Sequence, residues 1–328
     1  MNNLFDRSSK QEFTWQSKHI KFFLNLKGFG PATVEKIIDI NPDINQWDKE
    51  YVAGQSSNYE KFIKSLPDEI PHLADLDDEI VINFKDPRFP KQFLDMKKDR
   101  PLLIWYKGSL ELGDCITVVG SRNIVPETKN ITTDIVKLAG ERNLSIVSGL
   151  AKGVDEAAHI AALENNLKTI AILPSSIDNI LPTSNKNLAF EIVENGGLLL
   201  SEYEIGSPKN PEKSNYIRRN RLQAGLSEAT IIAQSSIDGG TMTTAKHTID
   251  NERYLVVYNS HTDIVEYSGN FLLCQPLKEV KNIDSILSKQ QQKLVQNKEK
   301  IADFEFDNNN SFKDVLGNIF DAWLAILP

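Results

Sequence analysis

Six short apolar runs recur between residues 116 and 258: ITVVG (116–120), LSIVSG (144–149), KTIAILP (168–174), GLLLSE (197–202), ATIIAQ (229–234) and YLVVY (254–258). Each is nearly continuous in apolar residues rather than alternating, as a strand covered on both faces must be. The text between the runs is longer and periodic. ETKNITTDIVKLAGER (127–142), for example, places Ile131, Ile135, Val136 and Ala139 on one helical face. Buried strands separated by helices give a mostly parallel sheet with helices on both sides. The expected fold is therefore α/β, with a doubly wound sheet over residues 113–275.

The flanks read differently. Residues 1–75 are expected to form a small helical domain. Within it, HIKFFLNLKGFGPATVEKIIDI (19–40) has two periodic stretches joined by Lys27-Gly28-Phe29-Gly30-Pro31. This is helix, glycine turn, helix, with Pro31 where a helix start tolerates it. The turn fits a helix-hairpin-helix pattern, whose amides can face a DNA phosphate, although plain helix packing is the commoner use of such turns. Residues 76–112 hold two β-rich runs, Ile80 to Phe84 and Leu102 to Tyr106, punctuated by Pro87, Pro90 and Pro101. They are expected to pack on the next domain as an extension. Residues 276–328 are polar and Gln/Lys-rich, and read as a helical linker followed by a short C-terminal helix. The Phe320, Trp323, Leu324 and Ile326 side chains of that helix need a partner surface.

Composition excludes several classes. The chain is 40% hydrophobic and 25% charged, ordinary for a soluble protein. No run approaches the ~18 apolar residues that span a bilayer, so no membrane association is expected. The N-terminal text MNNLFDRSSKQEFTW lacks the apolar centre of a signal peptide. Cys115 and Cys274 sit among apolar residues with no ligand partner at metal spacing. They read as buried thiols in a reducing compartment, and a cytoplasmic location is expected. A net charge of −8 argues against a basic coat over the whole surface, but counterion release depends on local patches.

Ligands of a doubly wound sheet sit at the carboxyl ends of its strands. The text following the strands is Gly120-Ser121-Arg122-Asn123, Ser148-Gly149-Leu150-Ala151-Lys152-Gly153-Val154-Asp155, Pro174-Ser175-Ser176, Ser201-Glu202-Tyr203 and, after the fifth, Ser235 through Gly239-Gly240-Thr241. Glycines and hydroxyls are ordinary turn chemistry in any one loop. Several such loops on one rim, two of them with Arg122 and Lys152, suit an anion site built from helix N-termini. KSNYIRRNRLQAGLS (213–227) adds Lys213, Arg218, Arg219 and Arg221 with no acid among them. Taken alone this is also what a solvated basic helix face looks like. Arg218, Arg221 and Leu222, however, share one face at i, i+3 and i+4, which suits arginines turned onto the rim. Guanidinium forks match phosphate oxygens, and Tyr216 can stack a base, worth ~1–3 kcal/mol. The candidate phosphate-binding set is Gly120, Ser121, Arg122, Ser148, Gly149, Lys152, Gly153, Lys213, Arg218, Arg219, Arg221, Gly239, Gly240 and Thr241.

Neither G-x-G-x-x-G after the first strand nor G-x-x-x-x-G-K-[ST] occurs, which disfavours a dinucleotide site and excludes an NTPase P-loop. His159 reads as a satisfied core histidine, and Asp155 as a first-turn carboxylate. His247 and His261 have no nucleophile partner in sight. No catalytic residue, metal or cofactor is expected, and the protein is not expected to be an enzyme.

The stretches VVGSR (118–122), IVSGLAKGVDEAAH (146–159), LLSEY (199–203), RNRLQAGLS (219–227) and Gly239-Gly240-Thr241 through Thr244-Ala245 resemble, in order and spacing over about 78–260, the DprA/Smf DNA-processing proteins. The resemblance implies an extended Rossmann-like fold, single-stranded DNA binding, a homodimer, and delivery of the strand to a RecA-type recombinase in natural transformation. It implies no cofactor, and an N-terminal module of SAM-like or helix-hairpin-helix-like type. The implied phosphate pocket falls on Ser121, Arg122, Ser148, Gly149, Lys152 and the Arg219/Arg221 pair. The text after 275 is too thin for the winged-helix-like domain that many members carry. The alternative is a nucleotide- or signal-binding protein of the wider DprA/LOG-like superfamily, for instance in phage defence. LOG-type hydrolases carry P-G-G-x-G-T-x-x-E. Asp238-Gly239-Gly240-Thr241-Met242-Thr243-Thr244-Ala245-Lys246 lacks the third glycine and the glutamate, which argues against hydrolysis.

Overall fold

The structure is a computed structural model and describes residues 15–57, 59–77, 80–96, 100–207, 209–262 and 264–324. Of the C-terminal apolar residues named above, Ile326 and the side chains of Trp323 and Leu324 lie outside the described residues, as does the N-terminal text 1–14. Two compact units are present, Met1–Phe89 with Lys98–Leu103, and Pro90–Lys97 with Ile104–Pro328.

The first unit holds α1 (Ser17–Leu24), α2 (Pro31–Ile40), α3 (Lys49–Gly54), α4 (Tyr59–Ile63) and β1 (Val81–Asn83). The helix–glycine turn–helix is where the sequence places it. Gly28 takes a φ of +88°, which favours glycine, and Gly30 precedes Pro31 at the start of α2. Phe29 of this turn points inward and stacks on Phe62 with ring centroids 5.8 Å apart. Ile20, Phe23, Val34 and Ile37 are fully buried, and Trp47 lies 5.2 Å from the Phe23 ring. The turn is thus held by aromatic packing inside its own unit.

The second unit holds α5 (Lys91–Leu94), β2 (Leu103–Gly108), β3 (Cys115–Gly120), α6 (Pro126–Gly140), β4 (Ser145–Ser148), α7 (Val154–Glu164), β5 (Thr169–Ile172), α8 (Lys186–Glu194), β6 (Leu198–Ser201), α9 (Lys213–Leu226), β7 (Ala229–Gln234), α10 (Thr241–Asp250), β8 (Tyr254–Tyr258), α11 (Ser268–Cys274), α12 (Ile283–Ile286), α13 (Lys289–Val295), β9 (Phe304–Phe306) and α14 (Asn309–Leu324). Its strands lie in the order β2-β6-β5-β4-β3-β7-β8-β9. All neighbours are parallel except β2 against β6. The six apolar runs are β3 to β8, and four of these strands are buried along their whole length. The order turns back at β3, which has β4 on one side and β7 on the other, so the switch-point crevice opens between the carboxyl ends of β3 and β7.

Two boundaries differ from the expectation. Residues 76–112 are not one extension: they supply β1 to the first unit and most of β2 to the second. Residues 276–328 are not a linker and tail. β9 extends the sheet alongside β8, with Val256 opposite Phe304 and Tyr258 opposite Phe306. α14 buries Phe312, Val315, Leu316 and Ile319 in the same core as Ile135 and Val136 of α6. Arg142, in the turn after α6, pairs with Asp321 of α14 at 2.5 Å. The polar reading failed because a strand of three residues makes no apolar run, and because α14 needs only one face of α6 to cover its stripe.

Both cysteines are buried and unpaired, as expected, and burial pushes the Cys115 thiol up to about 12. Among the described residues no helix is long and apolar enough to cross a membrane.

Candidate functional site

The crevice between β3 and β7 opens into a cleft of about 980 Å³. One wall is the loop after β3, with Gly120, Ser121 and Arg122. Gln234, the last residue of β7, fixes this loop. It is fully buried, its Oε1 accepts from the Val125 amide at 3.1 Å and the Thr128 hydroxyl at 2.5 Å, and its Nε2 donates to the Asn123 carbonyl at 2.9 Å. The Ser121 amide donates to the Gln234 carbonyl at 2.8 Å. Gln234 was not singled out from sequence. The signal was there, in a polar residue closing a fully apolar strand.

The SGLAKGVD loop (148–155) lies behind this wall. A Cβ on Gly153, whose φ is +80°, would sit 2.3 Å from the Ser121 carbonyl oxygen. A Cβ on Gly149 would sit 2.3 Å from Nη1 of Arg219. These two glycines therefore let one loop pass against another and against a guanidinium. Arg219 is buried, and its Nη1 donates to the carbonyls of Gly149 at 2.6 Å and Ile172 at 2.5 Å, tying the ends of β4 and β5 together. Asn185 Nδ2 donates to the Leu150 carbonyl at 3.1 Å. Asp155 is buried beneath the loop. Burial pushes its carboxyl up, opposed by the neighbouring Arg219 and the Ala151 amide.

The candidate set divides accordingly. Gly120, Ser121, Arg122, Lys213, Arg219, Gly239, Gly240 and Thr241 line the cleft. Ser148, Gly149, Lys152, Gly153, Arg218 and Arg221 do not. The Ser148 hydroxyl donates to the Val118 carbonyl at 2.7 Å inside the sheet. Lys152 is exposed and does not line the cleft. Arg221 forms a two-pronged ion pair with Glu202 at 2.5 and 2.6 Å, with both side chains under 10% exposed, and Arg218 reaches the same carboxylate at 3.4 Å. Arg221 turns inward as the spacing suggested, whereas Arg218 stays half exposed, and the acid just after β6 engages both. That acid is 19 residues away in sequence and invisible to local spacing.

His159 is a core residue, as read. Its Nδ1 donates to Thr169 Oγ1 at 2.7 Å, because that hydroxyl itself donates to the Ile146 carbonyl at 2.9 Å. Burial, with Arg219 nearby, depresses it to about 3.

Two cations of the lining, Arg122 and Lys213, are exposed. The Arg122 guanidinium carbon stands 5.3 Å from the ring centre of Tyr216. Neither Arg122 nor Lys213 has a carboxylate partner among the described residues. Thr241 opens the ten-residue helix α10, whose leading amides carry partial positive charge. Asp238, three residues before Thr241, and Glu266 also line the cleft, so its charge is mixed rather than uniformly basic.

Residues 80–291 match the family described as DNA recombination-mediator protein A. The chain belongs to this family. Among its recombination-mediator relatives, Smf of Synechocystis is 29% identical over 264 residues, 79% of this chain and 60% of that protein. DprA of Streptococcus pneumoniae is 38% identical over 157 residues, 47% of this chain and 54% of that protein. The chain thus spans little more than half the length of these relatives. Two solved recombination-mediator structures share the fold. The S. pneumoniae protein superposes with a TM-score of 0.65 at 23% identity, covering 91% of this chain and 96% of its own. The Helicobacter pylori protein, whose structure concerns its single-stranded DNA binding mode, gives 0.53 at 29% identity over 73% and 96%.

Proposed function

We propose that this chain binds single-stranded DNA in the cleft between β3 and β7 and acts in DNA processing and recombination. The observation that carries the reading is Arg122, a cleft-lining guanidinium beside the Tyr216 ring with no carboxylate partner among the described residues. Its fork takes phosphate oxygens, Lys213 adds a point charge, and the first amides of α10 complete the cradle. A base adjoining that phosphate meets the Tyr216 ring, which supports strand binding without sequence preference. The single-stranded DNA binding of the H. pylori relative supports the same choice of ligand.

Within this reading the site binds and does no chemistry. Asp155 and His159 are buried and engaged in holding loops and strands. The reading also keeps the expectation that the protein works as a homodimer and hands its strand to a RecA-type recombinase, in a pathway such as natural transformation.

The test is a salt titration of oligo-dT binding. Arg122→Ala is expected to weaken binding and flatten the log K against log salt slope by about 0.7 per lost phosphate contact. Tyr216→Ala is expected to cost ~1–3 kcal/mol at every salt concentration. Wild-type affinity and slope in both variants would sink the proposal. Nucleotide carried through purification at the cleft would favour the free-nucleotide alternative instead.

A further inference from the structure

Phe190 is half exposed on α8, and two ammonium groups stand over its ring, Lys107 Nζ and Lys186 Nζ, each 5.9 Å from its centre. Both lysines are exposed, and neither has a carboxylate partner among the described residues. The arrangement is tertiary: Lys107 comes from β2, while Lys186 and Phe190 sit one turn apart on α8. α8 buries its opposite face through Leu188, Ala189 and Ile192.

This patch is tied to the cleft through Asn185. Asn185, immediately before Lys186, donates to the carbonyls of Leu150 and Ala151, and Ala151 lines the cleft. Lys152 is exposed on the same loop. On the two segments linked in this way Lys152, Lys186 and Phe190 are exposed, and Lys107 stands at the same ring. Glu194, one turn beyond Phe190 on α8, closes the stripe with a charge that repels phosphate.

We infer that Phe190, Lys186 and Lys107 form a second single-strand contact, in which a base stacks on the Phe190 ring and the two lysines hold the adjoining phosphates. The inference rests on the proposed strand binding in the cleft and adds the path the strand takes on leaving it. An incoming base displaces one ammonium from the ring, and that ammonium meets the phosphate attached to the base. Ring and cations thus serve one ligand, an arrangement suited to nucleic acid rather than to an apolar partner.

The test compares oligo-dT of about six and about twenty nucleotides, lengths near the short end of and beyond the ~4–16-nucleotide footprint of single-strand grooves. Phe190→Ala is expected to weaken the long oligonucleotide about fivefold or more while leaving the short one unchanged. Phe190→Trp should restore or tighten the long one. Lys107→Gln with Lys186→Gln should flatten the salt slope of the long oligonucleotide alone by about 1.4, two contacts at about 0.7 each. Arg122→Ala is the control and should weaken both lengths. If Arg122→Ala weakens both but the Phe190 and lysine variants change neither, the second contact is refuted and the cleft reading stands. If Arg122→Ala changes neither, the cleft reading fails. A change of oligomeric mass on Phe190→Ala would mark the patch as a self-contact and overturn the inference.

Discussion

Arg221 is the residue for which sequence and structure make opposite predictions, so its substitution is informative. Spacing placed it among the phosphate ligands, whereas the structure gives it to Glu202. Both carboxylate oxygens are taken, at 2.5 and 2.6 Å, with the two side chains 6% and 8% exposed. Arg221→Ala leaves a buried carboxylate, and removing one partner of such a pair costs ~3–5 kcal/mol. Arg218 stays 3.4 Å from Glu202 but is half exposed and weakly held, which places the cost near the lower bound. At ~2–4 °C per kcal/mol for a chain of this size class, the melting midpoint should fall by about 6–12 °C. The assay pairs a thermal melt with oligo-dT anisotropy. Arg221→Ala should melt early and, below its transition, bind DNA as the wild type does. Arg221→Met combined with Glu202→Leu should recover most of the lost stability, because a well-packed apolar pair replaces the charges. An Arg221→Ala protein that melts like the wild type yet binds DNA with a salt slope flattened by about 0.7 would refute the structural assignment.

Three further outcomes follow from the same geometry. His159 is depressed to about 3, so the unfolded chain takes up a proton below about pH 6.5 that the folded chain refuses; stability is complete above 6.5 and is lost as pH falls toward 3. Between pH 7 and pH 5 this one group should remove about 2 kcal/mol, at 1.36 kcal/mol per unit, and His159→Asn should flatten that limb in urea melts at each pH. Gly153→Ala places a methyl 2.3 Å from the Ser121 carbonyl at a φ of +80°, so it should destabilise by at least ~1–3 kcal/mol and weaken DNA binding together with the displaced Arg122 loop, as followed by melting and anisotropy. Glu266→Gln removes a repelling charge from the lining and should tighten oligo-dT about twofold at low salt, a gain of ~0.5 kcal/mol for charges about 8 Å apart in water, with the difference vanishing at high salt.

The sheet was legible because double burial leaves an unmistakable mark: β3 to β8 each carry an apolar run, and the strand-end rule then located the cleft without further help. Arg122, Lys213 and Gly239 to Thr241 followed directly. Arg221 and Ser148 fall outside the cleft, and Arg219 lines it while bound to two carbonyls, because a local basic or hydroxyl pattern is the same whether its partner is solvent, phosphate, a distant carbonyl or Glu202. Only the folded chain brings Gly149, Ile172 and Glu202 to α9. Gln234 was passed over for the complementary reason: its side chain holds a loop more than a hundred positions away, and no periodicity announces that. The tail was missed because three residues, Phe304 to Phe306, are too few for any pattern to rise above noise.

That short strand has a consequence for the whole sheet. Without β9, the sheet on that side would end at β8, Tyr-Leu-Val-Val-Tyr, an uncharged run with an open row of amides and carbonyls. Such an edge is a template for pairing with another copy. β9 occupies it with three residues only, and Lys298–Asp303 and Lys300–Glu305 ion pairs at 2.6 and 2.7 Å place charge there. The segment after residue 300 thus acts as an aggregation guard, and a chain shortened before Phe304 should precipitate before it loses any residue of the cleft.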